Sequence, residues 1–476
     1  MLAEAVATRA GRLLLTTLYR KAEPVEELTV SEYADRFRKV SPESGSPWPG
    51  DWRTERMPHV REPQDCLHPD HPARQVTLKW AAQTAKTEVG VNWFAFIVDR
   101  AAGPMLTMLP SMDEAIKYNR VKLQPTIDAS PALRLRVKKE NQRDEAASTS
   151  AFKRFAGGFN QIVTASSSKG LQMISVKYLI AEEVTGYPYD TDGRGDPLEQ
   201  GKARQKAYTQ NLKRLVSGTP GHKATCRITA AFEEGDRRRR YVPCPHCETF
   251  QVLTEDALQP PSESTAYMAA FACLSCGGLI EEHHKAEMLG RGEWISTRPI
   301  PSEDDPEAEP VAVPDTIARA QMDRYRCAPK DGRCREFEPS YELWTAYSPA
   351  ETWQSIWEGW EKAKASPVLL KVFTQQTLGR AWEDGAGEVE HEKLHAARED
   401  IRAGIATADH PLATGMIDLQ GDRLEWGVWV WGPQAQGVLL DRGIIPFAPE
   451  TVEALAGIDE LDRKSTRLNS SHESPS

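Results

Sequence analysis

The sequence predicts an α/β protein in which helices pack around a parallel β-sheet. Between residues 76 and 221, short apolar runs alternate with helix-like segments, which is typical of βαβ units. Lys86 and Thr87 stand between the first apolar run and a helix-like stretch, and two cysteine pairs follow the sheet region. After Pro411 the pattern changes to strand-like runs, which predicts a second, β-rich region.

Size and composition are those of an ordinary globular protein. The chain has 476 residues, of which 40% are hydrophobic and 27% charged. At about 150 residues per domain, this length allows roughly three domains. The formal net charge of −10 gives no overall basic field for nucleic acid, but it is compatible with local positive charge in a channel. The longest uncharged apolar run, residues 91–98, is too short to span a bilayer, so we expect no membrane association.

Changes in composition predict the domain boundaries. Residues 1–45 are charged and helical in pattern, and an acidic, proline-rich stretch follows residue 300. A tryptophan-rich helical region is expected from Tyr341 to about Trp382. The predicted segments are an N-terminal helical segment (1–45), a sheet domain (46–235), a cysteine-bearing domain (236–298), a linker with a helical subdomain (299–410), a β-rich domain (411–462) and a tail (463–476).

Apolar runs that end in turn residues or acidic residues predict the strands of the sheet. The expected strands lie at about 76–80, 105–109, 161–165, 178–181 and 214–217. In the β-rich region, three runs separated by short polar turns predict a meander. These runs lie at 415–420, 424–431 and 437–445.

Two cysteine pairs, Cys244 with Cys247 and Cys273 with Cys276, predict a zinc ribbon. The pairs are separated by 25 residues, and glycines follow the second pair, where a tight turn is needed. Four thiolates can close a tetrahedral shell around Zn²⁺ and so contribute to folding. Unrelated buried cysteines and a redox dithiol are the alternatives. The run of four arginines at 237–240 is either a solvated face or a phosphate clamp beside the ribbon.

A candidate phosphate-binding loop follows the first predicted strand. The stretch 81–88 reads Ala-Ala-Gln-Thr-Ala-Lys-Thr-Glu and leads into a helix-like segment. In such a loop, the Lys86 amine would contact the β- and γ-phosphates and the Thr87 hydroxyl would ligate Mg²⁺. The usual glycines are missing, and a positive φ at Ala85 costs about 1–2 kcal/mol. An ordinary strand–helix turn is therefore the alternative.

Polar residues follow two further predicted strands. Glu182 and Glu183 come directly after the run 178–181, and a polar turn containing Ser217 and Thr219 ends the next run. Ligands of open α/β sheets bind outside the carboxyl ends of the strands. One carboxylate there can hold Mg²⁺ while its neighbour polarises an attacking water. We therefore expect both acids to converge with the loop lysine at one sheet edge.

In their order along the chain, these segments resemble the GpA-type family of phage terminase large subunits. The stretch 83–88 is similar to the family's Gln-x-Gly-Lys-Thr-Glu nucleotide loop, with Ala85 in place of glycine. Glu182 and Glu183 are similar to its Asp-Glu pair, and the cysteine pairs fall at the family's place. The resemblance extends from about residue 49 to 441.

The resemblance implies a P-loop-type parallel-sheet ATPase with an inserted zinc ribbon, followed by a partial RNase H-like nuclease domain. Such a protein is a motor that packages double-stranded phage DNA into a procapsid by ATP hydrolysis, with an endonuclease that cuts concatemers. The implied cofactors are ATP, Mg²⁺ and Zn²⁺. The implied partners are a small terminase subunit, which would bind the N-terminal segment, and the procapsid portal. Several copies of the chain would assemble on the portal. The implied location is the host cell cytoplasm.

Site residues of the ATPase follow from the resemblance. The implied ATP-binding residues are Gln83, Thr84, Ala85, Lys86 and Thr87. Thr87 and Glu182 would hold Mg²⁺, and Glu183 would be the catalytic carboxylate. Ser217 and Thr219 would couple nucleotide state to movement. Trp52 is the candidate for an aromatic that packs on adenine, with structural packing as the alternative.

In the β-rich region, Asp418 would be the first acid of a two-metal nuclease site, and an exposed Asp beside a hairpin turn is the alternative. Residues from about Arg463 resemble a translated sequencing adapter, so we expect a non-native tail at 463–476 and an incomplete nuclease. Two other functions fit the motifs. One is a helicase-like ATPase, and the other is a catalytically impaired, zinc-stabilised DNA-binding protein.

Overall fold

A large mixed sheet organises the first of the two units into which the chain divides, Met1–Asp384 and Gly385–Ser476. The computed structural model describes residues 26–139, 148–298, 312–325, 337–383, 412–419, 423–433 and 437–446. The expected tail at 463–476 lies outside these residues, as do residues 1–25 of the N-terminal segment. No helix in the described ranges is long and apolar enough to cross a bilayer.

The strands of the first unit are β1 Lys39–Val40, β2 Gly50–Asp51, β3 Gln75–Trp80, β4 Pro104–Leu109, β5 Phe152–Phe155, β6 Gly158–Thr164, β7 Tyr178–Ala181, β8 Lys213–Gly218, β9 Arg238–Pro243, β10 Phe250–Val252, β11 Leu258–Gln259, β12 Ala270–Ala272, β13 Leu279–Ile280, β14 Glu293–Ser296, β15 Thr316–Ile317 and β16 Ser340–Leu343. The strands of the second unit are β17 Leu412–Leu419, β18 Arg423–Trp431 and β19 Gly437–Pro446.

The α-helices are α1 Val30–Phe37, α2 Arg61–Asp65, α3 Lys86–Arg100, α4 Met112–Tyr118, α5 Gln124–Ala129, α6 Pro131–Arg136, α7 Pro197–Ala203, α8 Arg227–Glu234, α9 Lys285–Arg291, α10 Met322–Tyr325, α11 Trp353–Ala363 and α12 Pro367–Gln376. A π-helical segment, Asn119–Leu123, joins α4 to α5.

Parallel strands form the centre of the main sheet, in the order β9-β16-β3-β8-β7-β4-β6. Antiparallel strands extend it on both sides: β5 pairs with β6, β10 and β14 pair with β9, and β15 pairs with β10. All five strands predicted between residues 76 and 217 lie in this sheet. The expected α/β fold with a large parallel sheet is therefore confirmed.

Helix α3 explains the longest apolar run in the sequence. Eleven of its fifteen residues are buried, because it lies between the sheet and the helices α1, α2 and α6. A helix that is apolar on all sides is stable only when covered in this way. The N-terminal segment contributes to that cover, since α1 packs on α3 and its Tyr33 ring lies 5.6 Å from the Phe96 ring.

Two of the strands that were not predicted lie in segments that the sequence analysis had interpreted differently. The tryptophan-rich region, expected to be helical from Tyr341, begins instead with β16, which lies between β9 and the central β3. Three of the four arginines form the first half of β9, and two of them are buried. Arg238 pairs with Asp236 at 2.7 Å, and Arg240 donates to the Leu289 carbonyl at 3.1 Å. The interpretation of this run as a solvated face or a phosphate clamp is wrong for these two residues.

The second unit contains the predicted meander. Strands β17, β18 and β19 pair in sequence order and are antiparallel. Asp418 lies directly opposite Glu425, so both side chains point to the same face of this sheet. Asp441 pairs with Val428, which places it on the other face.

Candidate functional site

Three parallel strands carry the candidate nucleotide site at one edge of the main sheet. β3, β8 and β7 are adjacent, and their carboxyl ends lead into the loop 81–85, the Thr219 turn and the Glu182-Glu183 pair. A cavity of about 700 Å³ opens at this edge. Its walls are the nucleotide loop, the start of α3, the Thr219 turn and the segment from Gly45 to Met57. Ligands of open α/β sheets bind at this edge, outside the carboxyl ends of the strands.

The nucleotide loop adopts a left-handed conformation without glycines. Gln83 has φ 56° and Ala85 has φ 66°, and α3 begins directly after Ala85. The Thr84 hydroxyl donates to the Ala81 carbonyl at 2.7 Å, so it is used within the loop. The loop therefore has the phosphate-loop shape that the sequence suggested, at the conformational cost expected for non-glycine residues.

Three other parts of the chain bond to this loop. The Ala82 amide donates to the Gln376 carbonyl at 2.9 Å, and the Ser348 hydroxyl donates to the Gln83 carbonyl at 3.2 Å. His59 Nε2 lies 3.0 Å from the Thr84 carbonyl and must donate, because a carbonyl only accepts. Burial lowers the pKa of His59 to about 4, so the ring is neutral.

Lys86 lies at the floor of the cavity and its amine is almost fully buried. It donates to the carbonyls of Trp80 at 3.1 Å and Ala81 at 3.0 Å, and to the Thr219 hydroxyl at 2.8 Å. Its Nζ is 3.5 Å from Oε1 of Glu183. Burial lowers the pKa of Lys86, and the neighbouring carboxylates act against this shift. The structure thus brings the predicted lysine and the predicted catalytic acid together.

The two glutamates occupy different environments. Glu183 is 40% exposed in its side chain, lines the cavity and accepts a hydrogen bond from the Thr219 amide at 3.0 Å. Glu182 is 2% exposed and does not line the cavity. Its Oε2 accepts from the Ser217 hydroxyl at 2.6 Å, while Oε1 has no hydrogen-bond partner among the described residues. A methyl group at Gly90 of α3 would lie 2.8 Å from that Oε1.

Burial decides the protonation of Glu182. It raises the pKa of this carboxyl to about 7, and the negative charges of Glu183 and Glu88 act in the same direction. The Ser217 hydrogen bond and the Lys86 charge only partly oppose the shift. A carboxyl with this pKa changes its charge near neutral pH, so a nearby cation would readily ionise it.

The opposite wall of the cavity is aromatic. Trp52 lines it but is only 7% exposed; its indole donates to the Thr54 hydroxyl at 3.1 Å, and the Arg38 guanidinium lies 4.8 Å from the ring. Trp48 lines the same wall and is half-buried. The sequence prediction named Trp52 and missed Trp48, although both lie in one Pro/Trp-rich stretch.

An ion-pair network connects this aromatic wall to the nucleotide loop. Glu88, in the first turn of α3, accepts from Arg38 and from Lys122, whose Nζ is 3.1 Å away. Burial alone would raise the pKa of Glu88, but the two cations lower it to about 2. The sequence prediction quoted Glu88 only as part of a motif, and no local pattern singled out Arg38, which comes from the N-terminal segment.

The four paired cysteines converge on one point. Cys244 Sγ lies 4.0 Å from Cys276 Sγ, Cys247 Sγ lies 3.8 Å from Cys273 Sγ, and all four sulfurs lie within 4.8 Å of one another. A tetrahedral Zn²⁺ site with Zn–S distances of about 2.3 Å has S–S edges of about 3.8 Å. The four side chains therefore fit a zinc ion.

Both cysteine turns have the same backbone shape. Each continues with a left-handed residue, Glu248 (φ 61°) after the first pair and Gly277 (φ 71°) after the second. The amides of these residues donate to the carbonyls of Cys244 and Cys273 at 2.9 and 3.0 Å. His246 Nε2 lies 2.8 Å from the Leu279 carbonyl, so this ring nitrogen is not directed at the sulfurs.

The nuclease candidate Asp418 lies exposed on β17, opposite Glu425. Within the described ranges, no group of three or more metal-ligating side chains close enough to share an ion includes Asp418. The acids that would complete a two-metal site are thus not assembled around it in this part of the chain.

Comparison with known proteins decides the family. Residues 46–294 match the family described as phage terminase large subunit gpA, ATPase domain. The chain belongs to this family. Residues 338–475 match its second domain, described as terminase large subunit gpA, endonuclease domain. The GpA-type resemblance drawn from the motifs is confirmed, and the chain contains both a nucleotide-using and a metal-using domain of a terminase large subunit.

Relatives are similar over nearly the whole chain. The terminase large subunit of Enterobacteria phage P21 is 27% identical over 480 residues, which cover 97% of this chain and 69% of the relative. The terminase large subunit of Escherichia phage lambda is 25% identical over 473 residues, which cover 97% of this chain and 68% of the relative. Among solved structures, the large terminase ATPase domain of Thermus phage P74-26 aligns with 67% of this chain and 92% of that chain, at 13% identity and a TM-score of 0.34.

Replacing Ala85 by glycine should stabilise the folded protein. Glycine adopts a positive φ without the Cβ penalty, so we expect Ala85→Gly to raise the free energy of unfolding by up to about 1 kcal/mol, after the entropy of the unfolded glycine is subtracted. Thermal unfolding measures the change. Ala95→Gly, the same substitution in the right-handed interior of α3, is the control and should destabilise. Destabilisation by both variants would contradict a left-handed Ala85.

Replacing Glu182 by glutamine should remove a pH-dependent loss of stability. The pKa of Glu182 is about 7 in the folded protein and near 4.5 in the unfolded chain, so the folded state binds more protons between these values. Stability therefore falls as pH rises from about 4.5 to 7 and is constant above that. At pH 8 the free energy of unfolding of the variant should exceed that of wild type by up to a few kcal/mol, since one pKa unit corresponds to about 1.4 kcal/mol. At pH 4.5 the two proteins should differ little.

Urea unfolding of both proteins at pH 4.5 and pH 8 gives this difference. Glu263→Gln, at an exposed acid of the ribbon, is the control and should change stability equally little at both pH values. A Glu182→Gln effect that is the same at pH 4.5 and pH 8 would show that the carboxyl titrates normally.

Proposed function

We propose that this chain is an ATP-driven motor that packages double-stranded phage DNA into a procapsid, with an endonuclease domain that cuts concatemeric DNA. One observation carries the proposal: the Lys86 amine lies 3.5 Å from the Glu183 carboxylate and 2.8 Å from the Thr219 hydroxyl, at the floor of a cavity large enough for a nucleotide. These groups follow the carboxyl ends of three adjacent strands, β3, β7 and β8, and the residues matched to the family's ATPase domain include all of them.

Each residue of the proposed site has a distinct task. Lys86 compensates the charge of the β- and γ-phosphates, which the loop amides and the start of α3 also attract. Gln83, Thr84 and Ala85 shape the loop around them. Thr87 lines the cavity and would ligate Mg²⁺, whose charge helps to neutralise the phosphates, and Glu182, buried behind the cavity surface, would support the ion. Glu183, exposed to the cavity, orients and polarises the attacking water.

The Ser217 to Thr219 turn is the proposed coupling element. Ser217 donates to Glu182, the Thr219 amide donates to Glu183, and the Thr219 hydroxyl accepts from Lys86. The turn therefore contacts all three charged groups of the site. A change in their positions when phosphate leaves would be passed to this turn.

The aromatic wall is the proposed base site. Trp52 is nearly buried, and the Arg38 guanidinium lies over its ring, so little indole surface faces the cavity. Trp48 is half-buried and offers more surface. We assign base stacking to Trp48, with Trp52 as the support behind this wall. Stacking of a base on an aromatic ring contributes about 1–3 kcal/mol in comparable sites.

The remaining assignments follow the family organisation. Cys244, Cys247, Cys273 and Cys276 would hold a structural Zn²⁺ in a ribbon inserted at 236–298. Asp418 would be the first metal ligand of an RNase H-like nuclease at 411–462, beside Glu425. The small terminase subunit would bind the segment 1–45, and several copies of the chain would act together at the portal.

Lys86→Ala should abolish DNA-stimulated ATP hydrolysis while the protein stays folded. The amine contacts phosphate in the proposed site, and its Nζ lies 3.5 Å from Oε1 of the proposed catalytic Glu183. Hydrolysis is measured with and without double-stranded DNA. Lys117→Ala, at an exposed lysine of α4, is the control and should match wild type. Hydrolysis by wild type that does not exceed that of Lys86→Ala would refute the motor proposal.

One zinc ion per chain is expected in the purified protein. Native mass spectrometry gives the stoichiometry, and Cys276→Ser should remove the ion because three thiolates and one hydroxyl bind it far more weakly. Cys66→Ser, at a buried cysteine outside the cluster, should keep it. A metal-free wild type prepared without chelators and with zinc in the medium would contradict the assignment.

A further inference from the structure

A single turn lies between the cysteine ribbon and the nucleotide loop. The 3₁₀ turn Thr345–Tyr347 follows β16 and is buried, together with its neighbours Trp344 and Ser348. We call residues 344–348 the bracing turn. It contacts the ribbon on one side and the nucleotide loop on the other, and none of the assigned functions uses it.

Hydrogen bonds fix the bracing turn to the two strands that carry the first cysteine turn. The Tyr347 hydroxyl accepts from the Leu253 amide at 2.8 Å and donates to the Arg240 carbonyl at 2.7 Å. The Trp344 indole donates to the Leu253 carbonyl at 2.8 Å. Arg240 lies in β9 and Leu253 directly follows β10, so these bonds connect the turn to the strands on either side of Cys244 and Cys247.

Aromatic contacts fix the turn to the strand that carries the second cysteine turn. Phe271 of β12 lies two residues before Cys273, and its ring meets Trp344 and Trp353 edge to face, with centroids 6.0 and 4.8 Å apart. The Trp353 indole donates to the Ala346 carbonyl at 3.1 Å. The strands beside both cysteine pairs are therefore bonded to the bracing turn or packed against it.

On its other side, the bracing turn holds the nucleotide loop. The Ser348 hydroxyl donates to the Gln83 carbonyl, and the Leu343 carbonyl just before the turn accepts from the Ala81 amide at 2.9 Å. Thr345 bonds twice to the Thr377 carbonyl, through its amide at 3.0 Å and its hydroxyl at 2.9 Å. The preceding residue of that chain segment, Gln376, accepts from the Ala82 amide.

We propose that the zinc ribbon positions the nucleotide loop through the bracing turn, so that loss of zinc weakens ATP binding at the distant loop. Tyr347 and Ser348 are the positioning residues of this connection. It rests on the proposed function, because ATP is the ligand that the positioned loop binds. The physical reason is the strained loop: with non-glycine residues left-handed at 83 and 85, its shape depends on bonds from outside.

Variants that break the connection at successive points test it. Cys276→Ser removes the metal, Tyr347→Phe removes the hydroxyl that joins Leu253 to Arg240, and Ser348→Ala removes the bond to Gln83. Tyr178→Phe is the control, because it deletes a comparable hydroxyl–carbonyl bond (to Ala101, 2.9 Å) at the end of β7 away from the site. Zinc content, affinity for a fluorescent ATP analogue and hydrogen exchange of residues 81–87 without nucleotide are measured for each protein.

Tyr347→Phe and Ser348→Ala should each weaken analogue binding by about five- to tenfold, as loss of one buried hydrogen bond would predict, and Cys276→Ser should weaken it at least as much. All three should speed exchange at residues 81–87. Only Cys276→Ser should lose zinc, and Tyr178→Phe should match wild type in zinc, affinity and exchange even if its melting temperature falls.

A folded, zinc-free Cys276→Ser protein with wild-type exchange at residues 81–87 would overturn the proposal. If Cys276→Ser does not fold, the two zinc-retaining variants decide, and unchanged exchange in both would overturn it. Failure of wild type to bind the analogue would instead count against the ATPase assignment. Exchange in the absence of nucleotide is independent of that result, so the two failures can be told apart.

Discussion

The left-handed shape of the nucleotide loop is the constraint on which the site depends. Two non-glycine residues, Gln83 and Ala85, adopt positive φ there, at about 1–2 kcal/mol each. Bonds from His59, Ser348 and Gln376 hold the loop, and each contributes about 0.5–1.5 kcal/mol. The conformational cost of the two left-handed residues and the stabilisation by these three hydrogen bonds are therefore of similar size. The loop is therefore stable as part of the whole domain and not through its own sequence.

Unequal burial gives the two adjacent glutamates different properties. Glu182 is enclosed between β7, β8 and α3, and its pKa lies near neutrality because burial disfavours its charge. Glu183 lies in the cavity, where its carboxylate is paired with the Lys86 amine and accepts a hydrogen bond from the Thr219 amide. One peptide bond thus separates a carboxyl that responds to a nearby cation from one that is open to water and substrate.

Local pattern was enough to predict the central strands and the convergence of Lys86 with Glu183, because apolar runs and the polar residues that end them are features of short segments. It was not enough for β16 or β9. The two strands pair with each other across about a hundred residues, and half of β9 consists of arginines, of which Arg238 is paired with Asp236 and Arg240 bonds to the Leu289 carbonyl. Arg38 and Ser348 were missed for the same reason, since their partners lie 50 and 265 residues away.

The absence of a side chain at Gly90 has a consequence for how this family varies. A methyl group at position 90 would lie 2.8 Å from Oε1 of Glu182. Glutamate is one methylene longer than aspartate, and at position 182 this extra length uses the space that glycine leaves open. Position 90 and position 182 are thus complementary in volume. Among homologues, glutamate at position 182 should occur together with glycine at position 90, and aspartate at position 182 should occur with a larger residue at position 90. The residues at these two positions should therefore covary.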